Sequence, residues 1–197
     1  MLNSSFDRAA KEKDGKLKNR AFILFDFILM RVGYFNSYKK INTEGIKRLV
    51  FVCKGNVCRS VYCEFFIKQR LINSTNDLEV VSCGLRTSGG TKANNMATKV
   101  AKIRNVNLSL HRSRRATDIA INNSDLVIIM EPGMAIGLRS RGIKVARKNI
   151  VLLGMIGSSP QVRINDPYGK SEKAFNVIFD QVEDKVKFLL KHFMLSR

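Results

Sequence analysis

The apolar run Leu49 to Val52 leads directly into Cys53-Lys54-Gly55-Asn56-Val57-Cys58-Arg59-Ser60, and helix-like apolar spacing follows from Val61 to Leu71. A strand, a glycine-bearing loop and a helix in that order commit the segment to a βα unit with the loop at the strand's carboxyl end. Ligands of open α/β sheets gather at that edge.

The same alternation repeats from Ile46 onward. The sequence predicts strands over Arg48–Val52, Leu78–Val81, Asp125–Met130 and Ile150–Leu153, with helices over Val61–Ile72, Lys92–Val106, Pro132–Arg141 and Ser171–Phe193. Met96, Val100, Ile103 and Val106 stand three and four apart, an amphipathic period. The unbroken apolar run after Asp125 suits a parallel strand covered on both faces. Right-handed crossovers then give an α/β fold, a single domain with a small parallel sheet of about four strands flanked by helices.

At 197 residues the chain can bury one sizeable core and still carry an appendage. Residues 1–45 form a basic, partly amphipathic N-terminal extension in this reading, and 46–197 the domain. Within the extension, Ala21 to Met30 is apolar except for Asp26. A membrane-spanning helix needs about twenty apolar residues, and a secretory signal would not carry an acid in its apolar core. Phe22, Phe25, Leu29 and Val32 are spaced for an amphipathic helix, which packs on protein or lies on an anionic membrane surface.

Thirty-five Lys and Arg against sixteen Asp and Glu leave a net charge of +19, which favours anionic partners. A basic enzyme that steers phosphorylated substrates accounts for this charge without a nucleic-acid role, so nucleic acid is the disfavoured partner. The cysteines, at 53, 58, 63 and 83, make no disulfide framework for a chain of this size and point to a reducing, cytoplasmic compartment. Zinc is disfavoured because His111 and His192 stand far apart and offer no paired ligands, and no cofactor is expected.

The loop itself reads as chemistry. Five residues between Cys53 and Arg59 let successive backbone N–H groups and the guanidinium turn inward on one tetrahedral oxyanion. Arg59 can hold two phosphoryl oxygens in a planar fork, and a helix beginning near Ser60 adds a positive field that favours thiolate over thiol. Gly55 and Asn56 are residue types that tolerate left-handed backbone angles. A nucleotide P-loop would end in Gly-Lys-Ser/Thr, and this loop does not.

These residues resemble the low-molecular-weight protein tyrosine phosphatases, of the bacterial type associated with tyrosine kinases of capsule and exopolysaccharide synthesis. The resemblance runs over about residues 46–193 and rests on Val-Cys-x-Gly-Asn-x-Cys-Arg-Ser at 52–60, Ser-x-Gly at 82–84 and Asp166-Pro167-Tyr168. It implies the phosphotyrosine phosphatase I fold and a protein-tyrosine phosphatase working through a phosphocysteine intermediate on Cys53. Arg59 would bind phosphoryl oxygens, and Asp166 would act as general acid and then base. Lys54, Gly55, Asn56, Val57, Cys58 and Ser60 would complete the phosphate-binding loop. Ser60 would hydrogen-bond the Cys53 sulfur, Asn56, Ser82 and His111 would hold the loop in shape, and Tyr168, Leu85 and Arg86 would wall the pocket. The implied partner is a phosphotyrosine protein such as a bacterial tyrosine kinase, met in the cytoplasm or at the membrane periphery. The resemblance also allows a protective Cys53–Cys58 disulfide under oxidation.

Three departures stand out: Val61 replaces the usual proline after the loop, Cys83 stands where alanine is usual between the serine and the glycine, and residues 84–90 lack the aromatic side chain with which many relatives stack on substrate. From Leu85 to Arg115 there are eight basic residues and no acidic one. Where that run borders the pocket, it would attract anionic peptides. Two alternatives stand beside the phosphatase: a noncatalytic phosphotyrosine- or membrane-binding module on the same fold, and arsenate reductase. The second would need a resolving thiol, and no cysteine follows Cys83.

Overall fold

Leu49, Val50, Phe51 and Val52 are fully buried, so the strand they form, β1 (Arg48–Cys53), requires a neighbour on each edge and cover on each face. A computed structural model, describing residues 24–26, 28–72 and 77–195, supplies both. β2 (Glu79–Gly84) and β3 (Asp125–Ile129) flank β1, and β4 (Ile150–Leu152) lies beyond β3, giving a parallel sheet in the order β2-β1-β3-β4. The register pairs Leu49 with Val80 and with Leu126, and brings Cys53 opposite Gly84. This is the expected four-stranded parallel architecture.

Helices α1 (Arg59–Leu71), α2 (Asn95–Ile103), α3 (Gly133–Arg139) and α4 (Glu172–Leu195) alternate with the strands. α1 packs on β1 and β2, and α4 packs on α1 and α2. At the α1–α4 contact the rings of Tyr62 and Phe179 stack at 3.7 Å, while the Tyr62 hydroxyl donates to Glu183 at 2.6 Å. That hydrogen bond satisfies the one polar atom such a buried ring carries. The expected helix over 92–106 is shorter because its ends are set by local chemistry. Asn94 Oδ1 accepts from the N–H groups of Met96 and Ala97 and caps the start, and Asn105, at φ 59°, lies past the end.

The chain divides into two compact units, Met1–Asn36 and Ser37–Arg197, so residues 37–45 cluster with the sheet-bearing unit. In the first unit, residues 24–26 and 28–31 are helical. Phe25 and Val32 of the expected apolar stripe are exposed, Leu29 is half-buried, and Phe22 lies outside the described residues. Among the described residues of this helical stretch Asp26 is the buried position. Among the described residues no helix is long and apolar enough to cross a membrane.

Three tethers gather loops at the sheet's carboxyl edge. Leu85 N–H donates to Cys53 O at 3.0 Å and Arg86 N–H to Lys54 O at 2.7 Å, which continues the β1–β2 pairing past the end of both strands. Ile164 N–H donates to Met130 O at 2.9 Å, anchoring the segment before Asp166 to the end of β3.

Candidate active site

The loop after β1 wraps around its own first side chain. Cys53 Sγ accepts from Asn56 N–H at 3.2 Å and from the Ser60 hydroxyl at 3.0 Å, so donors face the sulfur from two sides. α1 begins at Arg59, and its N-cap, Cys58, makes no side-chain capping bond. A helix start of that kind leaves amides and the positive end of the dipole to an anion in the loop.

Asn56 is the hub that keeps this shape. It stands at φ 53°, a left-handed angle that asparagine tolerates better than most residues, whereas Gly55 keeps an ordinary φ despite the expectation for it. Its Nδ2 donates to Ser60 Oγ at 3.0 Å and to Ser82 Oγ at 2.7 Å, and its Oδ1 accepts from Arg114 N–H at 2.8 Å. Its backbone carbonyl lies 2.7 Å from His111 Nε2, and a carbonyl can only accept, so that nitrogen carries the proton. Burial lowers the His111 pKa below the ordinary imidazole value, with the neighbouring arginines adding to this and the bond to Asn56 opposing it.

The network continues to a residue the sequence reading passed over. Ser82 Oγ donates to Glu64 Oε2 at 2.6 Å, and the buried Glu64 carboxylate also takes Lys68 Nζ at 2.6 Å and Arg114 Nη2 at 3.1 Å. A signal was available: Glu64 is the lone acid of α1 and sits among Val61, Cys63, Phe66 and Ile67, where a charge must find partners.

Arg59 crosses the mouth of the loop. Its Nη1 donates to Ile164 O at 2.9 Å and its Nη2 to Asp166 Oδ2 at 2.6 Å, and its Nε is buried with no partner among the described residues. Asp166 Oδ1 accepts from Tyr168 N–H at 3.2 Å, which turns the carboxyl toward the loop. Cysteine, guanidinium and carboxyl therefore line one hollow of about 410 Å³, together with Lys54, Gly55, Val57 and Tyr168. A family model for low molecular weight phosphotyrosine protein phosphatase matches residues 48–196. The chain belongs to this family.

The relatives agree with the match. A probable low molecular weight protein-tyrosine-phosphatase, AmsI of Erwinia amylovora, is 32% identical over 139 residues, covering 71% of this chain and 92% of AmsI. The crystal structure of the Erwinia amylovora tyrosine phosphatase AmsI superposes with a TM-score of 0.65 at 26% identity, over 78% of this chain and 98% of that one. A structure of the YwlE arginine phosphatase superposes with a TM-score of 0.67 at 25% identity, over 76% and 97%.

The phosphatase's pocket wall differs in part from the sequence expectation. Arg86 and Tyr168 line it, as do Thr87, Ser88 and Thr91, small hydroxyl residues that carry no sequence signal. Leu85 does not line it. That side chain lies against α3 instead, where a Cβ on Gly137 would come within 2.8 Å of Leu85 Cδ1. Half of the basic run from 85 to 115 is likewise occupied elsewhere. Lys99 pairs with Glu172, Arg104 with Asp180 and Glu183, Arg114 with Glu64, and Arg115 with Asp118, and only Arg86 of the eight lines the pocket.

The phosphatase's other thiols are set apart from Cys53 by their surroundings. Burial pushes the Cys58 and Cys63 thiols well up, and Asp166 adds to the effect at Cys58. Cys83 is pushed up to about 12, chiefly by burial and next by its neighbour Cys53. These three are held as neutral, poorly nucleophilic thiols.

Proposed function

We propose that residues 46–197 hydrolyse phosphotyrosine on protein substrates in two steps through Cys53. The observation that carries this reading is the convergence on one sulfur: amide and hydroxyl donors reach Cys53 Sγ while Arg59 and Asp166 meet at the mouth of the same loop. In the first step Sγ forms a bond to phosphorus as the P–O bond to the tyrosyl oxygen breaks, and the Asp166 carboxyl supplies a proton to the leaving phenolate. In the second, the Asp166 carboxylate takes a proton from water, the water oxygen bonds to phosphorus, and the S–P bond breaks to release orthophosphate. Arg59 and the amides of residues 54–60 bind the equatorial oxygens throughout, and the unpartnered Arg59 Nε adds a donor for them. Ser60, Asn56, Ser82 and His111 keep the loop in this geometry.

Val57 and Tyr168 give the pocket an apolar flank that suits an aryl ring. The likeness to the YwlE arginine phosphatase supplies the competing substrate, phosphoarginine. Turnover of an aryl phosphate and of phosphotyrosine and phosphoarginine peptides distinguishes the two, with Cys53→Ser as control. The reading requires hydrolysis of the aryl ester and the tyrosine peptide, and none by the variant. Preference for the phosphoarginine peptide would overturn it.

The resemblance to phosphatases of polysaccharide synthesis supports a bacterial tyrosine kinase as the partner. Four unpaired cysteines support a cytoplasmic setting. The exposed Leu24, Phe25, Ile28 and Val32 of the extension, on a strongly basic chain, support contact with an anionic membrane surface. In the full chain, Phe25→Glu is expected to reduce cosedimentation with phosphatidylserine vesicles, and unchanged sedimentation would remove that role.

A further inference from the structure

Beside the catalytic pocket lies a second hollow, of about 500 Å³, and Lys54 and Arg86 belong to the walls of both. The rest of its wall comes from Leu85, from Glu131 after β3, and from α3 and the turn behind it through Ile136, Gly137 and Arg141. Gly137 leaves room for Leu85 in this wall, because a Cβ there would stand 2.8 Å from Leu85 Cδ1 and the leucine side chain would have to swing aside.

The charge around the hollow is one-sided. Lys54, Arg86 and Arg141 are exposed, and none makes an ion pair among the described residues. Arg141 Nη1 is instead tied back to Gly137 O at 2.8 Å and Ser140 Oγ at 3.4 Å, bonds that hold its guanidinium at the rim without neutralising it. The hollow's own carboxylate, Glu131, is engaged by Arg163 at 3.2 Å. Elsewhere on the domain Arg48, Lys99, Arg104, Arg114 and Arg115 each have a carboxylate partner, whereas around this one concavity three cations stand together without one among the described residues.

We propose that this hollow is a subsite for an anionic group flanking the phosphotyrosine, either an Asp or Glu carboxylate or a second phosphate on the same peptide. The inference rests on reading the Cys53 pocket as the catalytic one. Extended chain advances ~3.3 Å per residue, and the two hollows share a wall, so the anion belongs about one to three residues from the phosphotyrosine. Lys54 and Arg86 stand between the two anions and attract both. Arg141 touches only the flanking one, and so it separates peptide selection from chemistry.

The test uses the full chain and four substrates: a small aryl phosphate, a phosphotyrosine peptide with neutral flanks, the same peptide with glutamates, and the same with a second phosphotyrosine. Expected is kcat/KM about threefold or more higher for the anionic peptides than for the neutral one, with the advantage shrinking as salt rises. Arg141→Glu is expected to remove that advantage while aryl phosphate turnover is unchanged, and Arg141→Lys to retain most of it. The glutamate and diphosphate arms show which anion the hollow prefers. Equal kcat/KM for anionic and neutral peptides would overturn the subsite and leave the phosphatase reading intact. Absence of turnover on every substrate would sink the phosphatase reading. In that case the Kd values of the neutral and anionic peptides for Cys53→Ser protein still decide the subsite, and equal values overturn it.

Discussion

Arg59 Nη2 stands 2.6 Å from Asp166 Oδ2, so the group that binds phosphoryl oxygens and the group that protonates the leaving oxygen converge on one point. Asp166 is 37% exposed and Arg59 2%, which leaves the carboxyl open to water while the guanidinium is fixed by the fold. Replacement by Asn keeps an acceptor for Arg59 and removes only the transferable proton. Asp166→Asn is therefore expected to lower kcat on a phosphotyrosine peptide by ~10²-fold or more, with a smaller loss on an aryl phosphate whose phenol is strongly acidic. Equal losses on the two esters would remove Asp166 from proton transfer and leave it a purely structural partner of Arg59.

The Ser-x-Gly motif has a steric cause. A Cβ at Gly84 would stand 2.9 Å from Asn56 N, 2.9 Å from Gly55 C and 3.0 Å from Thr87 Cγ2, and the first two are backbone atoms that cannot swing aside. Gly84→Ala is expected to cost about 1–3 kcal/mol of stability by overpacking. Displacing the loop by ~1 Å is worth about 10²-fold in rate, so turnover should fall further than the stability loss accounts for. Denaturant unfolding alongside kcat/KM separates the two effects, and a wild-type rate in Gly84→Ala would show that the loop has room to move.

What could be seen in the sequence was what is local. Residues 49–71 declare strand, anion loop and helix because each is set by neighbours in the chain, and the parallel four-stranded sheet followed from the short βα alternation, whereas its order β2-β1-β3-β4 did not. The Glu64–Ser82–Asn56–Ser60 chain depends instead on the register of α1 against β2 and on the return of residues 111–115, contacts that no local pattern encodes. Leu85 went astray for the same reason: tertiary packing against Gly137 decides which way a loop side chain turns. Thr87, Ser88 and Thr91 escaped notice because small hydroxyls are equally at home in any loop. Asp166 lies far along the chain from Cys53, and motif resemblance rather than periodicity identified it.

Cys58 lines the pocket beside Cys53, but it is the Cys53 sulfur that accepts from an amide and a hydroxyl, while burial holds Cys58, Cys63 and Cys83 in the neutral form. Iodoacetate at pH 7 is therefore expected to alkylate one residue, Cys53, with orthophosphate protecting it as a competing anion. Peptide mapping reads the site directly. Labelling spread over all four thiols, or indifference to phosphate, would contradict the anion-loop assignment.

His111 makes stability depend on pH in a direction its surroundings set. Burial lowers its folded pKa below the ordinary 6.5, so between that lowered value and about 6.5 the unfolded chain binds more protons than the folded one. Stability rises with pH wherever the unfolded state holds the extra proton. The contribution of this group is therefore complete above about 6.5 and is lost as pH falls toward the folded pKa. Protonation also adds a charge beside Arg112 and Arg114, both of which already oppose it. His111→Gln preserves a donor for Asn56 O and removes the titration. Urea unfolding at pH 7.5 and 5.5 should show a larger loss on acidification in the wild type than in the variant. Identical losses would mean that His111 keeps an ordinary affinity for protons in the folded state, and that its bond to Asn56 offsets the burial.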